Sequence, residues 1–472
     1  MQENNVMPDR LNLLQRIRYS IFPGTLQRPA YRDRYRNFFN SLILHFRPRN
    51  VQQRTLRFTL TWGLGGMAVV LVCMLFATGL MLKFVYQPVP DRAYESIIHL
   101  QNNVLFGQLI RNVHHWSGNI LLIIVFLHLL RVFFTGAFHP PRQFNWIIGL
   151  VMFLAVLTSN ITGYLLPWDQ LAFWAITICT GMLEYVPGIG EWLQKLIRGG
   201  NEIGPATISI FFAIHTAIIP ACLLFLMPWH FWRVRKAGGL VIPRRSDEDE
   251  GSQDEKVPTI PNLILREIVV ALVLIAVIMS ISVIFNAPLE AKANPGLSPN
   301  PTKAPWYFAG IQELLLHFHP MFALFIIPVF ILIALVSIPY LNYQTDTAGV
   351  WFVSHRGRRM SAVAALTAVI ITPIGIIADE FVIDFAAWLP DLSSVVSNGI
   401  LPAVFVLAGI IMFYWLVKKK YAATNNESIQ SVFVLLMVAF IILTITGIWF
   451  RGKGMMLIWP WEIAGWVEVN NP

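Results

Sequence analysis

Charge and cysteine are the two things this chain has little of, and each scarcity removes a class of protein. Its 472 residues are only 13% charged, against about 25% in soluble domains, which excludes the two or three soluble domains that the length would allow. Its three cysteines, Cys73, Cys179 and Cys222, stand apart from one another in mainly apolar surroundings. That excludes a disulfide framework, a four-thiolate iron–sulfur cluster and a CxxCH attachment motif within the chain. The first 35 residues have no continuous apolar core and are rich in arginine, so no cleavable signal peptide is expected. A formal charge of +9 could point to nucleic acid. The basic residues, however, lie between long apolar runs rather than in one stripe, so the expected partner is a lipid bilayer and not nucleic acid.

Hydrophobic residues make up 56% of the chain. A helix crossing a bilayer needs about 20 mostly apolar residues. Nine segments qualify, near 60–84, 114–134, 146–166, 207–231, 267–287, 320–341, 362–378, 399–417 and 430–450, with 362–378 interrupted by Pro373. The expected fold class is therefore an all-α integral membrane protein, a four-helix bundle followed by about five further transmembrane helices. A cytoplasmic N-terminus places 26 of the 35 basic residues on the cytoplasmic side, which satisfies the positive-inside bias and requires an odd number of spans. A bacterial cytoplasmic membrane is the expected location.

Residues 1–57 form a basic segment with eleven arginines between Arg10 and Arg57 and no lysine, and its stretch Tyr35–Phe46 is suited to the membrane surface. Residues 58–242 hold the first four spans. Residues 243–262, PRRSDEDEGSQDEKVPTIPN, read as a flexible charged linker. Residues 263–390 then hold three spans, and 391–472 hold two more with a tail.

A histidine inside a spanning helix is costly without a partner and marks a functional site by default. The second span carries His114, His115 and His128, and the fourth carries His215 and His230. At about 100° per residue, the 14 steps from His114 to His128 return to one face, about −40° apart, while His115 points elsewhere. The 15 steps from His215 to His230 leave about +60°, again one face. A rise of ~1.5 Å per residue separates the members of each pair by about 21–23 Å, so each end of the bundle has its own site. Antiparallel helices pair His114 with His215 at the outer level and His128 with His230 at the inner level. Two imidazoles fill both axial positions of a haem iron, which favours electron transfer over oxygen binding. A zinc ion would usually need more ligands. Gly65 and Gly79 on the first span and Gly149 and Gly163 on the third are also 14 residues apart, and glycine supplies the close backbone approach that a flat macrocycle requires. Arg111 and Arg131, each three residues from a proposed ligand, suit haem propionates.

At these residues the chain resembles cytochrome b of the quinol-oxidising cytochrome bc complexes, most of all the split, chloroplast-type form. The strings are RNVHHW, FLHLLRVFFTGAFHPPR, TGYLLPWDQ (162–170), AIHTAIIP and HFWRVRKAGG. Spans five to seven resemble the separate fourth subunit of that form, and spans eight and nine lie outside the transferable pattern. The resemblance implies two non-covalent haems b. It also implies quinol oxidation at the outer face, between the PWDQ string with Asp169 and the APWY string with Tyr307, and quinone reduction on the inner side near Arg235 and Lys236. One electron would leave to a separate Rieske iron–sulfur protein and then a c-type cytochrome. The other would cross through the outer and inner haems. A homodimeric complex is implied as well.

Two positions depart from the family pattern. Where the family carries a Pro-Glu-Trp-Tyr string whose Glu accepts a proton, this chain reads Ala304-Pro305-Trp306-Tyr307. Glu313 is the candidate replacement, with His317 and His319 as further members of a relay. Gly63 stands where the chloroplast-type form has a cysteine that anchors an additional haem, so no covalent haem is expected there. Two other readings stay open: a dihaem membrane anchor that exchanges electrons with quinone without a Rieske partner, and a transporter, for which the front bundle has few intramembrane Asp, Glu or Lys.

Overall fold

The structure is a computed structural model and describes residues 47–242, 255–341 and 349–462. The Tyr35–Phe46 stretch and most of the expected linker lie outside the described residues. Among the described residues, nine helices are long and apolar enough to cross a membrane: α1 (Leu64–Lys83), α2 (Gly107–Phe134), α3 (Gln143–Leu165), α4 (Pro205–Lys236), α5 (Thr259–Ile284), α6 (Phe322–Tyr340), α7 (His355–Phe381), α8 (Val396–Tyr421) and α9 (Asn425–Trp449). This is the all-α membrane architecture that the hydropathy predicts. The end of the bundle that carries residues 285–321 is called outer below.

Local chemistry explains where the elements depart from expectation. Helix α2 starts at Gly107 rather than near 114, because its polar first turns find partners instead of water. Asn112 Nδ2 donates to the Ser282 carbonyl at 2.8 Å and its Oδ1 accepts from Ala287 N at 2.8 Å. Pro373 does not break α7, since neighbouring helices in a membrane can re-satisfy the backbone group that a proline frees. Three spans contain a wide π turn, at Ile214–Ile218, Phe322–Ile326 and Val396–Ile400. Each turn ends two residues before a proline, Pro220, Pro328 or Pro402. Proline donates no N–H and crowds the carbonyl four residues back, and one extra residue in the turn relieves both problems. Part of the expected linker is ordered: Lys256–Pro258 (β2) pairs antiparallel with Asn50–Gln52 (β1), and α5 begins at Thr259.

Helices α1 to α5 pack around α2, with α1 on α2, α3 on α4, and α5 against both α1 and α2. Their shared core, including Leu71, Leu121, Leu122, Val156, Ile219 and Ile278, fills the middle of the front bundle. A second core joins the inner end of α2 to the rear helices through Phe133, Phe134, Trp146, Met360, Phe413 and Val434. Polar bonds fix the same junction, where Trp146 Nε1 donates to the Leu335 carbonyl at 2.8 Å and Gln430 Nε2 to the Phe133 carbonyl at 3.3 Å. The first turn of α9 is pinned by Glu427, which is buried and accepts from Arg356 Nη2 at 2.7 Å while closing a capping box with Thr424.

Removing that carboxylate takes away the cap of α9 and the ion-pair partner of Arg356, which is half exposed and keeps its bond to the Ala422 carbonyl. Glu427→Ala is expected to cost about 1–2 kcal/mol, chiefly through the lost cap, measured as a lowered thermal unfolding midpoint in detergent micelles. Glu427→Gln, which can keep the cap, is expected to lose less.

Candidate functional site

Four of the five histidines on α2 and α4, His114, His128, His215 and His230, lie where two antiparallel helices place them. At the outer level the His114 and His215 rings face one another with centroids 6.0 Å apart and planes at 73°. A metal ion bound to one nitrogen of each ring at about 2 Å would leave the ring centres roughly 6 Å apart. Thr78 donates its hydroxyl to the Met74 carbonyl at 2.7 Å, so its oxygen is free to accept from His114 Nδ1, 3.0 Å away. His215 Nδ1 donates to the Ser159 carbonyl at 2.9 Å. Both Nδ1 atoms are thereby used as donors, which leaves each Nε2 lone pair available to a metal. At the inner level His128 and His230 are near enough to interact electrostatically. His115 turns away and packs edge-on to Trp116.

Each glycine lies against one of these rings. A Cβ on Gly65 would stand 3.5 Å from His128 Cε1, on Gly79 3.2 Å from His114, on Gly149 3.8 Å from His230, and on Gly163 only 2.6 Å from His215. The spacing of four glycines thus corresponds to four imidazole edges. The π turn at Ile214–Ile218 contains His215 itself. The turn widens the helix on the way to His230, so the ideal 100° step does not hold across it.

The two arginines differ in what they hold. Arg131 is buried, donates Nε to the Leu60 carbonyl at 2.9 Å, and has an Nη2 without a partner among the described residues. Arg111 donates to the Ala287 and Pro288 carbonyls at 2.8 and 2.6 Å and so ties α2 to the segment that follows α5. Gly63 has φ +66° and caps the start of α1, a backbone state that favours glycine. Arg235 and Lys236 are exposed in the last turn of α4, with Lys236 Nζ 5.6 Å over the Trp232 ring. Among the described residues no three His, Cys, Asp or Glu side chains converge as a zinc site would need.

At the outer end, Asp169 caps the helix Gln170–Gly181. Its Oδ1 accepts from Ala172 N at 2.9 Å and its Oδ2 from Glu290 N at 3.1 Å. Burial raises its pKa. The PWDQ string also bonds the segment after α5, with Gln170 N donating to the Ala291 carbonyl at 2.8 Å and Ala293 N to the Trp168 carbonyl at 3.1 Å. Tyr307 is mostly buried near Tyr164 and Cys179; burial first, then Tyr164, raises its pKa. Trp306 Nε1 donates to Asn119 Oδ1 on α2 at 2.7 Å. Both strings therefore lie at one end of the bundle.

Glu313 lies on the short helix Ala309–His317 and is fully buried, paired through both oxygens with Arg451 at 2.7 to 3.1 Å. His317 bridges Glu313 (Nε2, 3.3 Å) and Asp379 (Nδ1, 2.6 Å), and Arg451 Nη1 donates to Glu380 at 2.9 Å. His319 stands apart, with its ring edge-on to Tyr185 and its Nδ1 accepting from Met321 N at 3.3 Å. Burial opposes charge on all three central groups, but the ion pairs prevail: Glu313 is held below the usual carboxylate range, and His317 is raised to about 9. Sequence reasoning missed Arg451, Asp379 and Glu380. Their signal was charge at the outer tips of α7 and α9, where the apolar pattern asks for none.

The family model Cytochrome b/b6/petB matches residues 52–238. Cytochrome b6 of Prochlorococcus marinus strain AS9601 is 40% identical over 175 residues, 37% of this chain and 80% of the relative. The same protein from strain NATL1A is 41% identical over the same length. A solved structure, "Hyperthermophilic respiratory Complex III", superposes with a TM-score of 0.61 at 22% identity, covering 87% of this chain and 96% of that one. The chain belongs to the cytochrome b family of the cytochrome bc complexes, and is a multi-pass membrane subunit of an electron-transporting oxidoreductase complex.

His317 contributes a pH dependence of known sign. The folded protein binds its proton more tightly than the unfolded chain, so the stabilisation is complete below about 6.5 and disappears as pH rises through about 9. The unfolding midpoint is expected to fall more steeply over that window in the parent protein than in His317→Gln. Parallel pH profiles of the two proteins would contradict the charged bridge.

Proposed function

We propose that this chain is the dihaem, quinol-oxidising subunit of its complex, with His114 and His215 holding the outer haem b and His128 and His230 the inner one. The observation that carries the reading is the facing of the His114 and His215 rings at 6.0 Å, with a glycine against the edge of each. When bound, the haems supply reversible one-electron chemistry at two depths in the membrane. The protein's own part is to fix the imidazoles. Thr78 and the Ser159 carbonyl set the outer ring tautomers, and the four glycines leave room beside the rings. The unpartnered Nη2 of Arg131 suits a propionate, and Arg111 keeps a propionate role only alongside its two carbonyl bonds.

Quinol would bind at the outer end, between the segment around Asp169 and the segment around Tyr307. Asp169 spends its two oxygens on backbone N–H groups, so its part is to shape the turn. Tyr307, largely desolvated, presents a neutral phenol that can orient a quinol oxygen. Arg235 and Lys236 would orient a quinone or a haem propionate at the inner surface. The N-terminus lies on that inner, cytoplasmic side. Electrons would leave through separate Rieske and c-type cytochrome polypeptides, because the chain itself has neither set of cysteines. A homodimeric complex in a bacterial cytoplasmic membrane completes the reading.

His128→Ala is expected to remove about half of the reduced-minus-oxidised b-type absorbance, and Gly163→Val should weaken the complementary half by displacing His215. Full absorbance in His128→Ala would overturn the ligand assignment.

A further inference from the structure

The segment containing Tyr307 is anchored on two sides. One side is α2, through Trp306 and Asn119. The other is the outer end of α9, which the family resemblance leaves without a role. Lys303 Nζ donates to the Ile448 carbonyl at 2.8 Å, and Gly454 N donates to Asn300 Oδ1 at 2.7 Å. Between them the short helix Ala309–His317 meets α9 at backbone distance. A Cβ on Gly310 would stand 2.6 Å from Thr444 Oγ1, and one on Gly447 would stand 2.8 Å from the Ala309 carbonyl. Within this contact lies the most buried ion pair described, Arg451 at 1% and Glu313 at 0% exposure. Arg451 is itself fixed, by Nη1 to Glu380 and the Met455 carbonyl and by the backbone pairing of Arg451 with Leu457.

We propose that Arg451 is a positioning residue for quinol oxidation: by gripping Glu313 it seats the helix Ala309–His317 on α9 and so holds Ala304–Tyr307 against α2. This rests on the quinol-oxidising reading above. Two charges taken out of water gain little net stability even when well paired, and what such a pair can supply is a fixed register. The bidentate guanidinium suits that task, because its planar fork accepts one orientation of the carboxylate. The same bonds keep Glu313 ionised and its oxygens occupied, which argues against its use as a proton acceptor near neutral pH. The last two spans thus serve the quinol site from behind: α9 ends where that site needs support, and α8 packs along α9.

The test uses the full chain in its native membrane complex, with Arg451→Gln, Arg451→Lys, and the double variant Asn300→Ala/Lys303→Met. Quinol-driven haem reduction in the parent comes first; if it does not occur, the quinol-oxidising reading fails by itself. The clamp is read independently, by amide hydrogen exchange over residues 300–317. Arg451→Gln is expected to speed that exchange at least tenfold, raise the KM for a soluble quinol about tenfold, and leave the b-type absorbance unchanged, with Arg451→Lys recovering part of both. The double variant, which leaves the buried pair intact, should raise KM no more than about threefold; if Arg451→Gln does not accumulate, Arg451→Lys supplies the answer through the same exchange and KM readouts. Unchanged exchange in Arg451→Gln would overturn the clamp, as would unchanged exchange in Arg451→Lys if Arg451→Gln does not accumulate. Faster exchange with an unchanged KM and turnover would overturn the positioning role.

Discussion

An imidazole inside a membrane must have a partner, and the structure depends on how four of them are provided for. Two antiparallel helices carry the rings, and two flanking helices carry a glycine opposite each one. Their hydroxyl and carbonyl neighbours take up the outer Nδ1 atoms. The apolar core between the two levels, built on Leu71, Leu121, Val156 and Ile219, separates the pairs and keeps water from joining them. Substitutions that widen or narrow the four-helix cross-section therefore act on the rings first.

A different kind of force organises the outer end. There the loops are joined by hydrogen bonds and ion pairs more than by burial: the PWDQ segment to residues 290–294, Trp306 to Asn119, Lys303 to the end of α9, and Glu313 to Arg451. Directional bonds fix position more sharply than apolar contact does, and a site that must orient a small, nearly symmetric substrate needs position. In the proposed quinol site Pro305 cannot titrate. The Glu313, Arg451, His317 and Asp379 cluster stands close by in sequence and space, but its pairing gives it the character of a scaffold.

Much of this was legible in the residues. Apolar runs of sufficient length give the nine spans found among the described residues, and the 14-step repeats of histidine and glycine point to two levels on matched faces. These signals are local and periodic, so one helix at a time suffices to read them. What was not legible is what periodicity cannot carry. The ideal helical angle does not carry along α4 from His215 to His230, because a π turn ahead of Pro220 contains His215. The start of α2 is extended by partners 170 or more residues away, on the end of α5. Glu313 read as a candidate proton acceptor, since nothing in its own neighbourhood announces an arginine 138 residues further on. Ion pairs across that distance follow from packing, which spacing alone does not reveal.

The central claim is that two stacked pairs of imidazoles each grip a haem iron from both sides. Haem-to-polypeptide stoichiometry on the purified chain, combined with low-temperature electron paramagnetic resonance of the oxidised protein, tests it most directly. The account predicts two haems b per chain, both low-spin, as bis-imidazole ligation requires. A single haem, or a high-spin iron with an open axial position, would contradict it.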